Sequence, residues 1–150
     1  MIEYIKGNLI KLSKEDQFDV IVHGCNCKKN WGKGIALTMK KEYPLAYETD
    51  CNSNPKLGEY SVCDMYDTII INAYTQVYPG RPKYQNDTEY KRYNAIKSIF
   101  TKINQNFKGK LVGIPMIGAG LAGLDWDNIY NIIDECCTEV DINVVQYDNT

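Results

Sequence analysis

Histidine occurs once in this chain of 150 residues, at position 23, and arginine twice, at positions 81 and 92. A single histidine removes the multi-histidine ligand sets of catalytic zinc sites. Six cysteines remain. Cys25-x-Cys27 and the adjacent Cys136-Cys137 lack the roughly two- to four-residue separation of common structural zinc sites, so no metal and no cofactor is expected. No apolar run approaches the ~18 residues of a membrane-crossing helix, and no membrane partner is expected. Basic charge is not in excess either. Seventeen Lys and Arg stand against nineteen Asp and Glu, a formal charge of −2, which argues against a general nucleic-acid binder. Repeats, low-complexity tracts and long linkers are missing. The opening Met1-Ile2-Glu3-Tyr4-Ile5-Lys6 lacks the basic and then apolar layout of a secretory leader. The expectation is a cytoplasmic protein with free thiols, folded as one domain over residues 1–150 and monomeric. Fifteen lysines against two arginines hint at an AT-rich coding genome, such as a viral one.

What is present is an alternation of strand-like and helix-like segments, the pattern of α/β architecture. Strands are predicted at Ile2–Lys6, Asp19–His23, Tyr60–Met65, Thr68–Tyr74, Lys110–Pro115 and Ile142–Tyr147. Asp19-Val20-Ile21-Val22-His23 and Lys110-Leu111-Val112-Gly113-Ile114 are nearly continuous apolar runs, as in central strands covered on both faces. Helices are predicted at Gly34–Tyr43, Thr88–Asn106 and Asp127–Val140. Tyr93, Ile96, Ile99, Phe100 and Ile103 make one apolar face of the second, and Ile129, Ile132, Ile133 and Cys136 one face of the third. Pro44 is expected to end or kink the first.

Two glycine-bearing loops follow predicted strands and lead into helices. In an open α/β sheet, ligands bind beyond the carboxyl ends of strands, so two such loops would wall a cleft. The second reads Gly118-Ala119-Gly120-Leu121-Ala122-Gly123, formally G-x-G-x-x-G. Glycines admit close approach of backbone N–H groups to a phosphate, and a helix N-terminus adds a favourable dipole. A dinucleotide fingerprint belongs near the start of its sheet, whereas only 27 residues follow Gly123. The readings left are a phosphate cradle and a turn that needs glycine. In the first loop, His23 to Ala36, Gly32 and Gly34 present amides and Lys33 adds a cation. Asn26 offers an amide suited to a sugar hydroxyl, or it caps a turn. Trp31 makes a flat wall, or it fills core.

Several segments together resemble one known family. They are Gly7-Asn8-Leu9, then His23-Gly24-Cys25-Asn26-Cys27 with Trp31-Gly32-Lys33-Gly34-Ile35-Ala36, then Ile114-Pro115-Met116-Ile117-Gly118-Ala119-Gly120-Leu121 with Leu124-Asp125-Trp126. In that order they resemble the macrodomains. The branch they look most like holds ADP-ribose 1''-phosphate phosphatases and terminal ADP-ribose glycohydrolases. The resemblance implies a three-layer α/β/α fold around a mixed, mostly parallel sheet of about six strands. It implies ADP-ribose or ADP-ribose 1''-phosphate as ligand. Gly7, Asn8 and Leu9 would border the adenine, with Asn8 accepting through its carbonyl, and Tyr147 would flank the ring. Asn26 would face the distal ribose, and Gly24, Cys25 and Thr75 would be further substrate-binding residues. Trp31 and the Gly32–Ala36 and Ile117–Gly123 backbones, Lys33, Ala119 and Ala122 included, would hold the diphosphate and distal ribose.

The same resemblance also marks departures. Where the glycohydrolases of this branch carry a lysine after the strand-end threonine and an acidic residue in the second loop, this chain has Gln76 and Ala122. Gln76 cannot form a covalent adduct with an open sugar aldehyde, and Ala122 cannot move a proton. His23, matching a histidine of the phosphatase-like branch, is expected as nucleophile or general acid in preference to a core histidine bonded to backbone. Asp125 is the acidic candidate, as a catalytic group or a helix cap. The irregular stretch from Gln76 to Asp87, with Arg81 and Lys83, is either a cationic flap or a solvated loop. The expected function is hydrolysis of ADP-ribose 1''-phosphate, a by-product of tRNA splicing, to ADP-ribose and phosphate. The alternatives are a non-catalytic ADP-ribose module and an ADP-ribosyl hydrolase.

Overall fold

Val20, Ile21 and Val22 are shielded on both sides, as a continuous apolar run requires, and they open a central strand. The computed structural model, which describes residues 1–148, holds six strands. They are β1 (Ile2–Gly7), β2 (Val20–Asn26), β3 (Tyr60–Asp64), β4 (Ile69–Gln76), β5 (Leu111–Ile114) and β6 (Asp141–Tyr147). Their order across the sheet is β1-β6-β5-β2-β4-β3. All neighbours are parallel except β3, which runs antiparallel to β4 on one edge.

Helices cover both faces. On one lie α1 (Leu9–Lys14), α2 (Gly34–Glu42) and α3 (Pro44–Cys51), whose Leu9, Ile10, Met39 and Ala46 pack with Ile21, Ile70 and Val145 of the sheet. On the other lie α4 (Glu89–Asn106) and α5 (Trp126–Cys136). Their Ile96, Ile99, Phe100, Ile103, Ile129 and Ile133 pack with Val20, Val22, Ile71, Val112, Ile114 and Val144. This is the three-layer α/β/α arrangement expected from the sequence. β2 and β5 are neighbours, yet the chain leaves β2 toward α2 on one face and β5 toward α5 on the other. Loops that diverge in this way open a crevice at the carboxyl ends of the strands.

The element boundaries differ from expectation in instructive places. Pro44 ends the first helix, as expected, rather than kinking it: α2 stops at Glu42 with Tyr43 as its C-cap, and Pro44 stands in the first turn of α3, where its missing N–H costs nothing. Neither α3 nor α1 was expected, since helices of eight and six residues give too little periodicity to read. α5 ends at Cys136 rather than Val140. β2 continues past His23 to Asn26, because Gly24 and Cys25 still pair with Ala73 and Tyr74 of β4.

Candidate functional site

A cleft of about 640 Å³ opens at the carboxyl ends of the central strands. Residues 24–26, 30–36, 75–76, 79–80, 115–118 and 120–122 line it. Both glycine-bearing loops therefore face one space. They also meet: a Cβ placed on Gly34 would stand 3.5 Å from Leu121 Cδ1. Gly34 takes φ +63°, the left-handed conformation that glycine adopts freely, and opens α2. Lys33, the N-cap, makes no side-chain capping bond, so the first-turn amides of α2 keep their donors for the cleft. The second loop is closed on itself by Leu124 N donating to Gly118 O at 3.0 Å and Gly123 N to Gly120 O at 3.1 Å. Gly118 takes φ +78°, and its Cβ would crowd Ile129 Cδ1 at 3.1 Å. Only glycine lets the loop lie that close to α5.

The floor holds an unsatisfied group. Thr75 is buried at the end of β4, and its Oγ1 has no hydrogen-bond partner among the described residues. A Cβ on Gly24 would stand 3.1 Å from that oxygen and 3.3 Å from Ile117 Cγ1, so the missing side chain keeps the floor open. A buried hydroxyl without a partner costs about 1–3 kcal/mol. A polar group entering the cleft, from a ligand or from water, would remove that cost.

Asn26 and Trp31 both line the cleft and are both held by the protein. Asn26 Oδ1 accepts from Lys28 N at 3.0 Å and Asn30 N at 3.2 Å, and its Nδ2 donates to Asn30 O at 2.8 Å. The amide that was expected to read a sugar hydroxyl thus also shapes the first loop. Trp31 is buried; its Nε1 donates to Asp50 Oδ2 at 2.8 Å, and Tyr74 OH donates to Asp50 Oδ1 at 2.7 Å. Asp50 in α3 fixes the angle of the wall.

The lining thiol is inert. Burial first, then Asp50 and Cys27, push Cys25 well above its ordinary range. Cys27, just outside, is raised to about 11, chiefly by burial. Neither is a thiolate at neutral pH. No cluster of three or more His, Cys, Asp or Glu suited to a metal ion occurs among the described residues. No helix among them is long and apolar enough to cross a membrane.

The family model described as Macro domain matches residues 22–133. The chain belongs to the macrodomain family. A 17.5 kDa protein of the tk-vs intergenic region of Enterobacteria phage T4 is 31% identical to this macrodomain, over 99% of this chain and 97% of its own. An ADP-ribose 1''-phosphate phosphatase of Lodderomyces elongisporus is 27% identical, over 98% and 99%. Among solved structures, the macrodomain of Thermus aquaticus DarG superposes with a TM-score of 0.77 at 22% identity, over 97% of this chain and 98% of that one, which speaks to fold.

Two residues expected as catalytic lie elsewhere in this macrodomain. His23 was expected at a strand end beside the ligand. It sits inside β2, 1% exposed, behind the cleft wall, and is not among the lining residues. Its Nε2 lies 2.7 Å from Asn72 Oδ1, and its ring meets the Trp31 ring edge-on at 4.8 Å. Asn72 Nδ2 is spent on Ala46 O and Ser61 Oγ, so its oxygen faces the imidazole and Nε2 carries the proton. Burial lowers the His23 pKa to about 4, and the ring is neutral. Asp125 is the N-cap of α5, its Oδ1 accepting from Asp127 N at 2.9 Å, and it too lies outside the cleft lining.

The expected adenine border is likewise outside the lining. Asn8 caps α1, its Oδ1 accepting from Ile10 N and Lys11 N at 3.1 Å each, so the carbonyl expected to accept from adenine is already occupied. Leu9 is in the core, Gly7 ends β1, and Tyr147 ends β6 with its side chain largely exposed. Ala119 and Gly123 belong to the second loop without lining the cleft. Gln76 and Ala122 do line it. Gln76 Nε2 donates to Tyr78 O at 2.8 Å and shapes the segment that follows. Asn30, Pro79, Gly80, Pro115 and Met116 also line the cleft; they fall within the segments singled out from the sequence but were not themselves named as site residues.

Proposed function

We propose that the cleft binds ADP-ribose, with the diphosphate held by backbone amides of the two loops, and that the protein hydrolyses ADP-ribose 1''-phosphate to ADP-ribose and phosphate. The observation that carries this reading is the convergence of an uncapped helix N-terminus and a glycine loop on one cleft with an unpartnered Thr75 hydroxyl on its floor. The full-length match to a phosphatase of that name supports the choice of substrate.

The lining limits the chemistry. It contains no carboxylate and no imidazole, and Lys33 is its cationic side chain. A leaving group that departs without a proton suits such a site. In the proposed step the C1''–O bond breaks, and the bonding pair leaves with the phosphate, whose charge the amides and Lys33 balance. Water adds to C1'' and releases its proton to solvent. A carboxylate leaving group meets the same condition, which keeps ADP-ribosyl ester hydrolysis as the second reading. Gln76, in place of a lysine, removes the covalent route to it.

Turnover in heavy-oxygen water tests the scheme. Phosphate should be released without label, because its oxygens are never exchanged. Labelled phosphate would place the cleavage at phosphorus and overturn the step while keeping the phosphatase. ADP-ribose binding in calorimetry with no product from the phosphate or from ADP-ribosylated carboxylates would leave a binding module. No heat with millimolar ADP-ribose would remove the whole reading.

A further inference from the structure

We propose that Arg92 is a positioning residue that fixes the shape of the cleft by clasping the 76–87 segment to the second glycine loop; the functional half of the proposal rests on the cleft being the ADP-ribose site. Arg92 stands in the first turn of α4, yet its side chain is 1% exposed. Its planar fork reaches three stretches of chain. Nε donates to Asp87 Oδ1 at 2.9 Å and Nη2 to Asp87 Oδ2 at 2.6 Å, the bidentate geometry of a guanidinium on a carboxylate. Nη2 also donates to Tyr78 O at 3.3 Å. Nη1 donates to Gly80 O at 2.6 Å and to Ala122 O at 3.1 Å.

Gly80 and Ala122 both line the cleft, on segments that follow different strands. One nitrogen bridges their carbonyls. Neither segment can swing outward without breaking a charge-assisted bond in a buried place. Asp87, fully buried in the 3₁₀ turn Gln85–Asp87, completes the clasp: its Oδ2 also accepts from Tyr78 N at 2.9 Å. The chain's other arginine lies on the same seam. The Arg81 side chain runs over Gly123, with Cγ and Nη1 each 2.9 Å from where a Cβ would stand. Among fifteen lysines, the two arginines are both spent where these segments meet. A lysine carries three donors on one nitrogen and cannot make the five bonds that the guanidinium spreads over three nitrogens.

Every partner in the clasp is a protein atom, so its bonds need no ligand to form and it can prepare the cleft. Prepared loops spare a ligand the cost of ordering them. Removing the clasp should therefore weaken binding in a protein that is still folded.

Arg92→Lys is the first test, because it keeps a cation opposite Asp87. The double change Asp87→Asn with Arg92→Met is the second, because it removes both charges together. Amide exchange on the ligand-free proteins should rise about tenfold or more over residues 78–82 and 118–124 and stay unchanged in β2 and β4. ADP-ribose titration well below each variant's own melting midpoint, where the population is folded, should show Kd raised by about tenfold or more. A merely structural role would lower the midpoint and leave that Kd alone. Unchanged loop exchange, or unchanged Kd in a folded variant, overturns the proposal. So does failure of both variants to fold, which would make the pair a core ion pair only. If the wild-type chain binds no ADP-ribose, the ligand assignment fails, and the exchange measurement still decides whether the clasp holds the loops.

Discussion

The neutral imidazole of His23 gives this protein an acid-sensitive core. In the folded state burial holds its pKa at about 4, against 6.5 for an exposed histidine. As pH falls below about 6.5, the unfolded chain takes a proton that the folded chain refuses, so stability declines. The decline stops near pH 4, where the folded state is protonated as well. The total is about 3 kcal/mol, from a gap of about 2.5 pH units. Urea unfolding at several pH values between about 4 and 7.5 should show this loss in the wild-type protein. In His23→Gln, whose amide nitrogen can reach toward Asn72, that part of the slope should disappear. Phosphate release, if the folded variant is assayed at neutral pH, should stay within about threefold of wild type, since the ring lies behind Trp31 rather than in the cleft. A loss of orders of magnitude with the fold intact would restore His23 as a proton-transfer group.

At the scale of elements, the question is what Asp125 does for α5. Its carboxylate caps the helix, and its backbone N–H donates to Tyr93 OH at 2.9 Å, which ties the end of the second loop to α4. Asp125→Ala should cost about 1 kcal/mol of stability, a fall in Tm of about 3 °C for a domain of this size, and leave phosphate release nearly unchanged. Calorimetric melting and a turnover assay separate that outcome from a catalytic role, in which the rate would collapse at an almost unchanged Tm. The cap was readable because Asp before Trp126 and an apolar stripe is a local signal. The glycine loops were readable for the same reason: each follows an apolar strand and precedes a helix. Arg92 was not. It lies on the buried face of α4 with Ile96 and Ile99, and a charge in that stripe was the one available sign. Its partners are separated from it by 5, 12, 14 and 30 residues, and three of them are backbone carbonyls, which every residue type possesses. The placement of His23 was illegible for the opposite reason. A lone histidine at the end of an apolar run looks the same whether the strand stops there or runs three residues further.

At the scale of the whole molecule, the sheet order supplies what a chain of net charge −2 would need to hold the diphosphate proposed for the cleft. Neighbouring β2 and β5 send their loops to opposite faces, and the donors that converge between them are backbone amides and a helix terminus. Fixed dipoles aimed at short range need no cationic surface. Phosphate recognition by clustered lysines behaves differently, since each released counterion makes affinity fall steeply with salt. Here Lys33 is the cationic side chain of the lining. ADP-ribose affinity should therefore weaken by less than about threefold between roughly 50 and 500 mM salt, a range over which the Debye length shrinks to roughly a third. Titration calorimetry across that range checks it. A fall of about thirtyfold or more would mean that lysines around the mouth, rather than the amides of the two loops, hold the diphosphate, and Lys33→Ala should then reproduce most of the loss at low salt.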